Sequence, residues 1–303
     1  MQTTAQKQLA DFFTQLEIEK RVSIHTLTNY ERDLRQLTEF CNAQNFQQWS
    51  ALQPNDIRQH ISNRHRKGLG SASLQRELSA MRTFYDYLLK NNLVTLNPAK
   101  YVKAPKTIRP LPKTLDVDEM SGLLEAGTDS VLEIRDVAMF ELFYSSGLRL
   151  SELVDLNLVD LDLKDKSLHV QAGKGGKARI LPIGCKAILA IQNWLKHRVA
   201  RNETEKAVFL SKNGSRIGQR SVQKRLAEWC LKKGVPQHVY PHALRHSFAS
   251  HLLQSSQDLR AVQELLGHVN INTTQIYTHL DFEHLAKVYD NAHPRAKKKP
   301  IVV

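Results

Sequence analysis

The sequence predicts a mainly α (α+β) protein in two parts: a helical N-terminal domain, then a mostly helical domain carrying one small antiparallel sheet. Three observations predict it. Apolar residues recur at three- and four-residue spacing through the first part, with no convincing strand. Pro105, Pro110 and Pro112 then fall among Lys106, Arg109 and Lys113 and interrupt helical periodicity. Beyond them, short alternating runs sit among further helical periods. A chain of 303 residues suffices for two domains, and 41% hydrophobic content supports true cores.

Phe12, Phe13 and Leu16 mark a first helix. Leu27, Tyr30, Leu34, Leu37 and Phe40 mark a second, which Ser23 can cap. A third runs from Asp56 to Arg66, opened by Pro54-Asn55. A fourth, Ser71 to Lys90, sets Leu74, Leu78, Met81, Tyr85 and Leu88 on one face, and Asn97-Pro98 ends the bundle. The expected boundaries are a domain over 1–104, a linker over 105–113 and a second domain over 114–303. Asp116-Val117-Asp118-Glu119 reads as a helix start with an acidic first turn. A long helix from Leu132 to Tyr144 is ended by Gly147, which puts Arg149 at a helix junction. Leu158–Leu163, Ser167–Ala172 and Ala178–Pro182 read as strands, with Gly173 to Lys177 as a hairpin turn. Helices follow near 184–200, 219–233, 242–255, 259–266 and 272–290.

The formal net charge is +13. Residues 1–105 hold 14 Lys and Arg against 9 Asp and Glu, and the remainder 29 against 21, so both parts are basic. A polyanionic partner follows, with nucleic acid first. Cys41, Cys185 and Cys230 are scattered, with no CxxC pair, and suggest neither a disulfide framework nor a zinc site. A reducing cytosol suits them. The polar start Met1-Gln2-Thr3-Thr4 has no signal-peptide core, and apolar runs such as Ala187–Leu195 are too short for a bilayer. The expectation is a cytoplasmic protein without membrane association.

His242 and Arg245 lie three apart on a helix that Pro241 opens. Free backbone N–H groups and the positive dipole end favour an anion there. His242 and His246 have i, i+4 spacing, but Ala243 follows where a zincin needs Glu, so metal ligation is disfavoured. Gly173-Lys174-Gly175-Gly176-Lys177 fails as a P-loop, because Ala178 follows Lys177 and Gln171 stands at the first glycine position. A hairpin tip presenting Lys174 is the better reading. Arg149, among Leu148, Leu150 and Leu153, needs a partner, either Glu152 or a phosphate. Together Arg149, Lys174, His242, Arg245, His268 and Tyr277 can perform phosphoryl transfer without metal or other cofactor. The arginines fork onto phosphate oxygens, the tyrosine attacks, and His or Lys moves protons.

In this order these residues resemble the tyrosine recombinase (phage integrase) family. The strings are Gly-Leu-Arg-Leu-Ser-Glu-Leu at 147–153, His-Ala-Leu-Arg-His-Ser-Phe-Ala-Ser-His at 242–251, and Leu-Leu-Gly-His-Val-Asn-Ile-Asn-Thr-Thr-Gln-Ile-Tyr-Thr-His at 265–279. Segments 26–34 and 78–88 are similar to the core-binding domain of the Xer branch. The ending Ala292–Lys297 is closer to the paralogue that pairs with XerD than to XerD itself. The resemblance implies a four-helix SAM-like core-binding domain before the catalytic domain. It implies a site-specific DNA recombinase in which Tyr277 forms a 3′-phosphotyrosyl bond and a 5′-hydroxyl leaves.

In that scheme Arg149 and Arg245 neutralise the non-bridging oxygens, and His268 adds a donor. Lys174 is the general acid, and His242 accepts or orients the tyrosine proton. The implied partners are a double-stranded recombination site, a XerD-like recombinase in a heterotetramer, and a regulatory DNA translocase. The implied task is dimer resolution on the nucleoid. Both domains would close around the duplex, with Arg64, Arg66, Lys67, Arg76 and Arg82 as N-terminal contact candidates. Leu285, Val288 and Tyr289, in the segment after Tyr277, suit docking either on a neighbouring subunit or within the chain. Two rival functions share parts of the pattern: a type IB topoisomerase, which reseals the same strand, and a non-catalytic DNA-binding module.

Overall fold

The structure is a computed structural model that describes residues 1–18, 22, 24–105, 115–171, 178–235, 239–267 and 279–296. Ser23, the linker from Lys106 to Lys113, the hairpin turn with Lys174, the stretch holding His268 and Tyr277, and the tail beyond Ala296 lie outside the described residues. The chain divides into two compact units, Met1–Pro110 and Leu111–Val303.

The first unit is built from α1 (Thr3–Ile18), α2 (Ile24–Ala43), α3 (Pro54–Arg66) and α4 (Ser71–Lys90). The stripe read from α4 is buried: Leu74, Leu78, Met81, Tyr85 and Leu88 join Phe12, Leu34, Leu37 and Phe84 in one core. Pro54 occupies the first helical position of α3, where its missing N–H costs nothing, and Asp56 accepts the Gln53 amide at 2.8 Å. Buried polar tips are satisfied. Trp49 Nε1 donates to Ala5 O at 2.8 Å, and Tyr85 Oη donates to Trp49 O at 3.1 Å.

The second unit begins with α5 (Val117–Leu124), whose Asp116 cap accepts the Glu119 amide at 2.7 Å while Glu119 accepts that of Asp116 at 3.0 Å. Its central beam is α6 (Val131–Ser146), buried without interruption from Ala138 to Ser146. Gly147 caps it in the left-handed region at φ 60°, and a Cβ there would collide with the Phe248 ring. A short helix follows, α7 (Leu150–Asp155). The sheet is antiparallel in the order β1 (Leu161–Asp162), β2 (Ser167–Val170), β3 (Arg179–Pro182). Leu168 pairs with Leu181 and Val170 with Arg179 on the buried face, while His169 and Ile180 face outward. Then come α8 (Cys185–His197), α9 (Gln219–Lys232), α10 (Pro241–Ser256), α11 (Leu259–Leu266) and α12 (His279–Ala292).

The expected strand from Leu158 to Leu163 is mostly not one. Leu158–Asp160 forms a 3₁₀ turn, because the buried Asp160 carboxylate accepts the Asn157 amide at 2.8 Å and Gln171 Nε2 at 2.8 Å. Only Leu161 and Asp162 pair with β2. The strand expected to reach Ala172 ends at Val170, and the helix expected to reach 200 ends at His197. The segment after Tyr277 packs within the chain: Leu285 and Tyr289 are buried in the core of the second unit, with Val288 against it.

Candidate active site

Arg149 and Arg245 approach one another because α6 and α10 deliver them to the same corner. Gly147 stops α6, and two residues later Arg149 stands at the cap position of α7, its side chain 42% exposed. Glu152, three residues on, accepts the Arg149 amide at 2.7 Å and its Nη1 at 2.8 Å. Glu152 therefore partners Arg149 while leaving the guanidinium open to solvent on another side. Arg245 lies one turn into α10 and is only 6% exposed. Its Nη1 donates to Gly147 O and its Nη2 to Leu266 O at 2.6 Å, tying the end of α6 to the end of α11.

The C-terminus of α11 is gripped by three guanidinium groups. Arg179 Nε donates to Leu265 O at 3.2 Å, Arg245 to Leu266 O, and Arg149 Nη2 to Gly267 O at 3.1 Å. These are carbonyls that a helix leaves unpaired at its negative dipole end, so cations suit them. Gly267 caps the helix at φ 65°.

Charge in the corner is unbalanced. Among the described residues, Arg149, Arg179 and Arg245 face one carboxylate, Glu152. Burial alone would raise the Glu152 pKa, but the fork of Arg179 and the Arg149 amide outweigh it and hold it down to about 2. Burial, then repulsion from Arg149 and Arg179, lowers Arg245 to about 10, against the pull of Glu152. Glu152 and Arg245 are therefore both charged at neutral pH. Three cations on one anion leave a positive excess in a partly buried corner, which favours an added anion.

His242 sits in the first turn of α10, exposed, on the helix that also carries buried Arg245. Of the six residues singled out by sequence, Arg149 and Arg245 are thus brought together and His242 lies one turn away. Lys174, His268 and Tyr277 lie outside the described residues. Arg179 was missed. Its signal was parity: it shares the inward face of β3 with Leu181, and an inward arginine needs a buried acceptor. Among the described residues no group of three His, Cys, Asp or Glu side chains is arranged to hold a metal ion.

The N-terminal arginines have internal partners. Arg64 donates to Glu77 at 3.3 Å and Gln36 at 2.8 Å, Arg76 forks onto Asp33 at 2.8 and 3.1 Å, and Arg82 holds Ala99 O at 3.1 Å and Val102 O at 2.6 Å. Arg66 bonds Asn63 at 2.5 Å, and Lys67 is exposed at the end of α3.

Two family models match. Residues 9–92 match the phage integrase N-terminal SAM-like domain, and residues 113–284 match the phage integrase family. Tyrosine recombinase XerC of Escherichia coli O1:K1 is 52% identical over 283 residues, covering 93% of this chain and 95% of that protein. XerC of Escherichia coli strain K12 gives the same figures, 52% identity over 93% and 95% of the two chains. Among solved structures, the Tn1549 transposon integrase in complex with circular intermediate DNA has a TM-score of 0.73 at 19% identity, covering 90% of this chain and 96% of that one. The XerH site-specific recombinase bound to its difH substrate has a TM-score of 0.69 at 23% identity, covering 92% and 84%. The chain belongs to the phage integrase family and is a site-specific tyrosine recombinase of Xer type.

Proposed function

We propose that Tyr277 is the nucleophile and that the corner built by Arg149 and Arg245 receives the scissile phosphate of duplex DNA. The phenol oxygen attacks phosphorus, the bond to the 5′-oxygen breaks, and Lys174 delivers a proton to that leaving oxygen, which departs as the 5′-hydroxyl. The phosphotyrosyl bond retains the energy of the ester, so resealing by a 5′-hydroxyl of the partner duplex requires no ATP. Arg149 and Arg245 carry the charge growing on the non-bridging oxygens, His268 adds a donor, and His242 takes or orients the phenol proton. The observation that supports this reading is the cationic excess, three guanidinium groups around one carboxylate. DNA as the substrate is supported by the basic charge of both units and by the solved relatives bound to DNA.

The 52% identity to XerC supports a XerD-like recombinase as the partner within a tetramer, with control by a DNA translocase, during dimer resolution on the nucleoid. The test is a suicide duplex whose nick lets the cleaved fragment diffuse away. Wild type should accumulate a covalent protein–DNA adduct, and adding a XerD-like partner with intact sites should give exchanged strands. Tyr277→Phe should shift the DNA reversibly and form no adduct. An adduct with Tyr277→Phe, or supercoil relaxation with no exchange under any pairing, would overturn the assignment.

A further inference from the structure

Arg179 enters the site from the sheet, with its side chain 5% exposed. Its whole fork is engaged. Nη1 donates to Glu152 Oε1 and Nη2 to Oε2, both at 2.9 Å, and Nε donates to Leu265 O at 3.2 Å. Glu152 also takes the Nη1 and the amide of Arg149, at 2.8 and 2.7 Å. A carboxylate offers about four acceptor sites, and here two arginines fill them.

We propose that Arg179 is a positioning residue for strand cleavage: through Glu152 it fixes the guanidinium of Arg149, and through Leu265 O it fixes the end of α11 from which the chain runs to His268. The proposal rests on Arg149 being a phosphate ligand. The physical reason is rotational freedom. Held by Arg149 alone, Glu152 is pinned at Oε2 by the amide but can still turn about that contact and carry the Arg149 Nη1 with it. With both oxygens fixed from β3, it offers Arg149 one direction. Lysine cannot substitute, because one ammonium cannot span two carboxylate oxygens and a carbonyl in a planar fork. The packing is close: a Cβ on Gly267 would lie 3.2 Å from Arg179 Nε.

The charged groups facing Glu152 among the described residues are Arg149 before α7, Arg179 on β3 and Arg245 on α10. Remove Arg179, and its hydrogen bonds and charge no longer hold the Glu152 carboxyl down against burial, so its pKa rises. That gives a readout a mere packing role would not move.

The experiment is single-turnover cleavage of the suicide duplex by full-length Arg179→Lys and Arg179→Gln from pH 5 to 8, alongside DNA affinity and thermal melting. Both variants should bind DNA within about threefold of wild type and cleave about 10–100-fold more slowly, the scale of a small misplacement of a reacting group. Arg179→Gln should also show a fall in cleavage towards low pH that wild type lacks. Adding Glu152→Gln to Arg179→Gln should cost far less than it costs alone, because the two act along one path. The proposal fails if both variants cleave at the wild-type rate. It also fails if cleavage declines only in step with melting temperature and affinity, with the pH profile unchanged. Should Arg179→Gln not fold, slowed cleavage at unchanged affinity and melting temperature is sought in Arg179→Lys, and its absence there overturns the proposal. Arg149→Ala in the same assay separates the cases: wild-type cleavage by that variant would sink the phosphate assignment itself.

Discussion

Gly147 shows how much a single residue decides. Its positive φ of 60° ends α6, its carbonyl accepts Arg245, and the chain it releases carries Arg149 two positions later. A side chain there meets two penalties. The left-handed conformation costs about 1–2 kcal/mol for an L-residue, and the new Cβ runs into the Phe248 ring. Gly147→Ala should therefore destabilise the second unit by at least about 1–2 kcal/mol, measured by urea unfolding. It should also slow adduct formation, because the acceptor that seats Arg245 moves with the cap. Sequence gave a partial view at this scale. Gly147 was legible as a helix stop, and Arg149 as an arginine needing a partner. The three carbonyls of α11 were not legible, since a backbone acceptor leaves no mark in residue identity. Arg179 carried only its strand parity, within a strand of four residues.

At the scale of elements, legibility followed length and capping. The helix from Ser71 to Lys90 was read to the residue, because its apolar stripe runs through 20 positions. The 3₁₀ turn at Leu158–Asp160 was misread because three residues show no period and the Asp160 carboxylate overrides a β-prone run. The segment after Tyr277 was ambiguous, because an amphipathic face suits a neighbour and its own core equally. Its cis packing is anchored beyond α12. Arg295, 3% exposed, donates Nη1 to Glu125 and Nη2 to Glu141, both at 2.6 Å, and Tyr289 Oη pairs with Ser145 Oγ at 3.0 Å. Glu125 caps α5, and Glu141 and Ser145 lie on α6, so the anchor ties the end of the segment after Tyr277 to the beam that leads to Arg149. Arg295→Ala leaves Glu141 buried without its cation. A loss of about 3–5 kcal/mol is expected above pH 7, where Glu141 is charged, and less below it, where the carboxyl protonates, read as a lowered urea midpoint. If the midpoint stays put, Arg295 does not hold the segment.

The same anchor makes the stability of the whole second unit depend on pH, through two groups of opposite sign. Burial depresses His293 from 6.5 to about 3, and its Nδ1 accepts the Arg295 amide at 3.2 Å, which requires the neutral ring. A depressed base stabilises above its unfolded value, and that stability is lost as pH falls from 6.5 towards 3. Burial raises Glu141 from 4.5 to about 7, outweighing the pull of Arg295. A raised acid stabilises fully below 4.5 and loses that contribution as pH rises through about 7. Between 4.5 and 6.5 these two slopes oppose and nearly cancel, which leaves the burial-depressed His251 to give wild type a residual decline as pH falls. Below 4.5 Glu141 no longer compensates, and Glu152, held at about 2, adds its own proton uptake, so stability should fall steeply. Glu141→Gln removes one arm of this balance. Whatever its effect on absolute stability, urea midpoints of that variant should decline from pH 6.5 downward more steeply than those of wild type. A variant profile no steeper than wild type between pH 4.5 and 6.5 would mean that His293 is not kept neutral by the fold. The second unit has a core of its own, and it is that unit, the one bearing Arg149, that should show the Glu141-dependent acid limb.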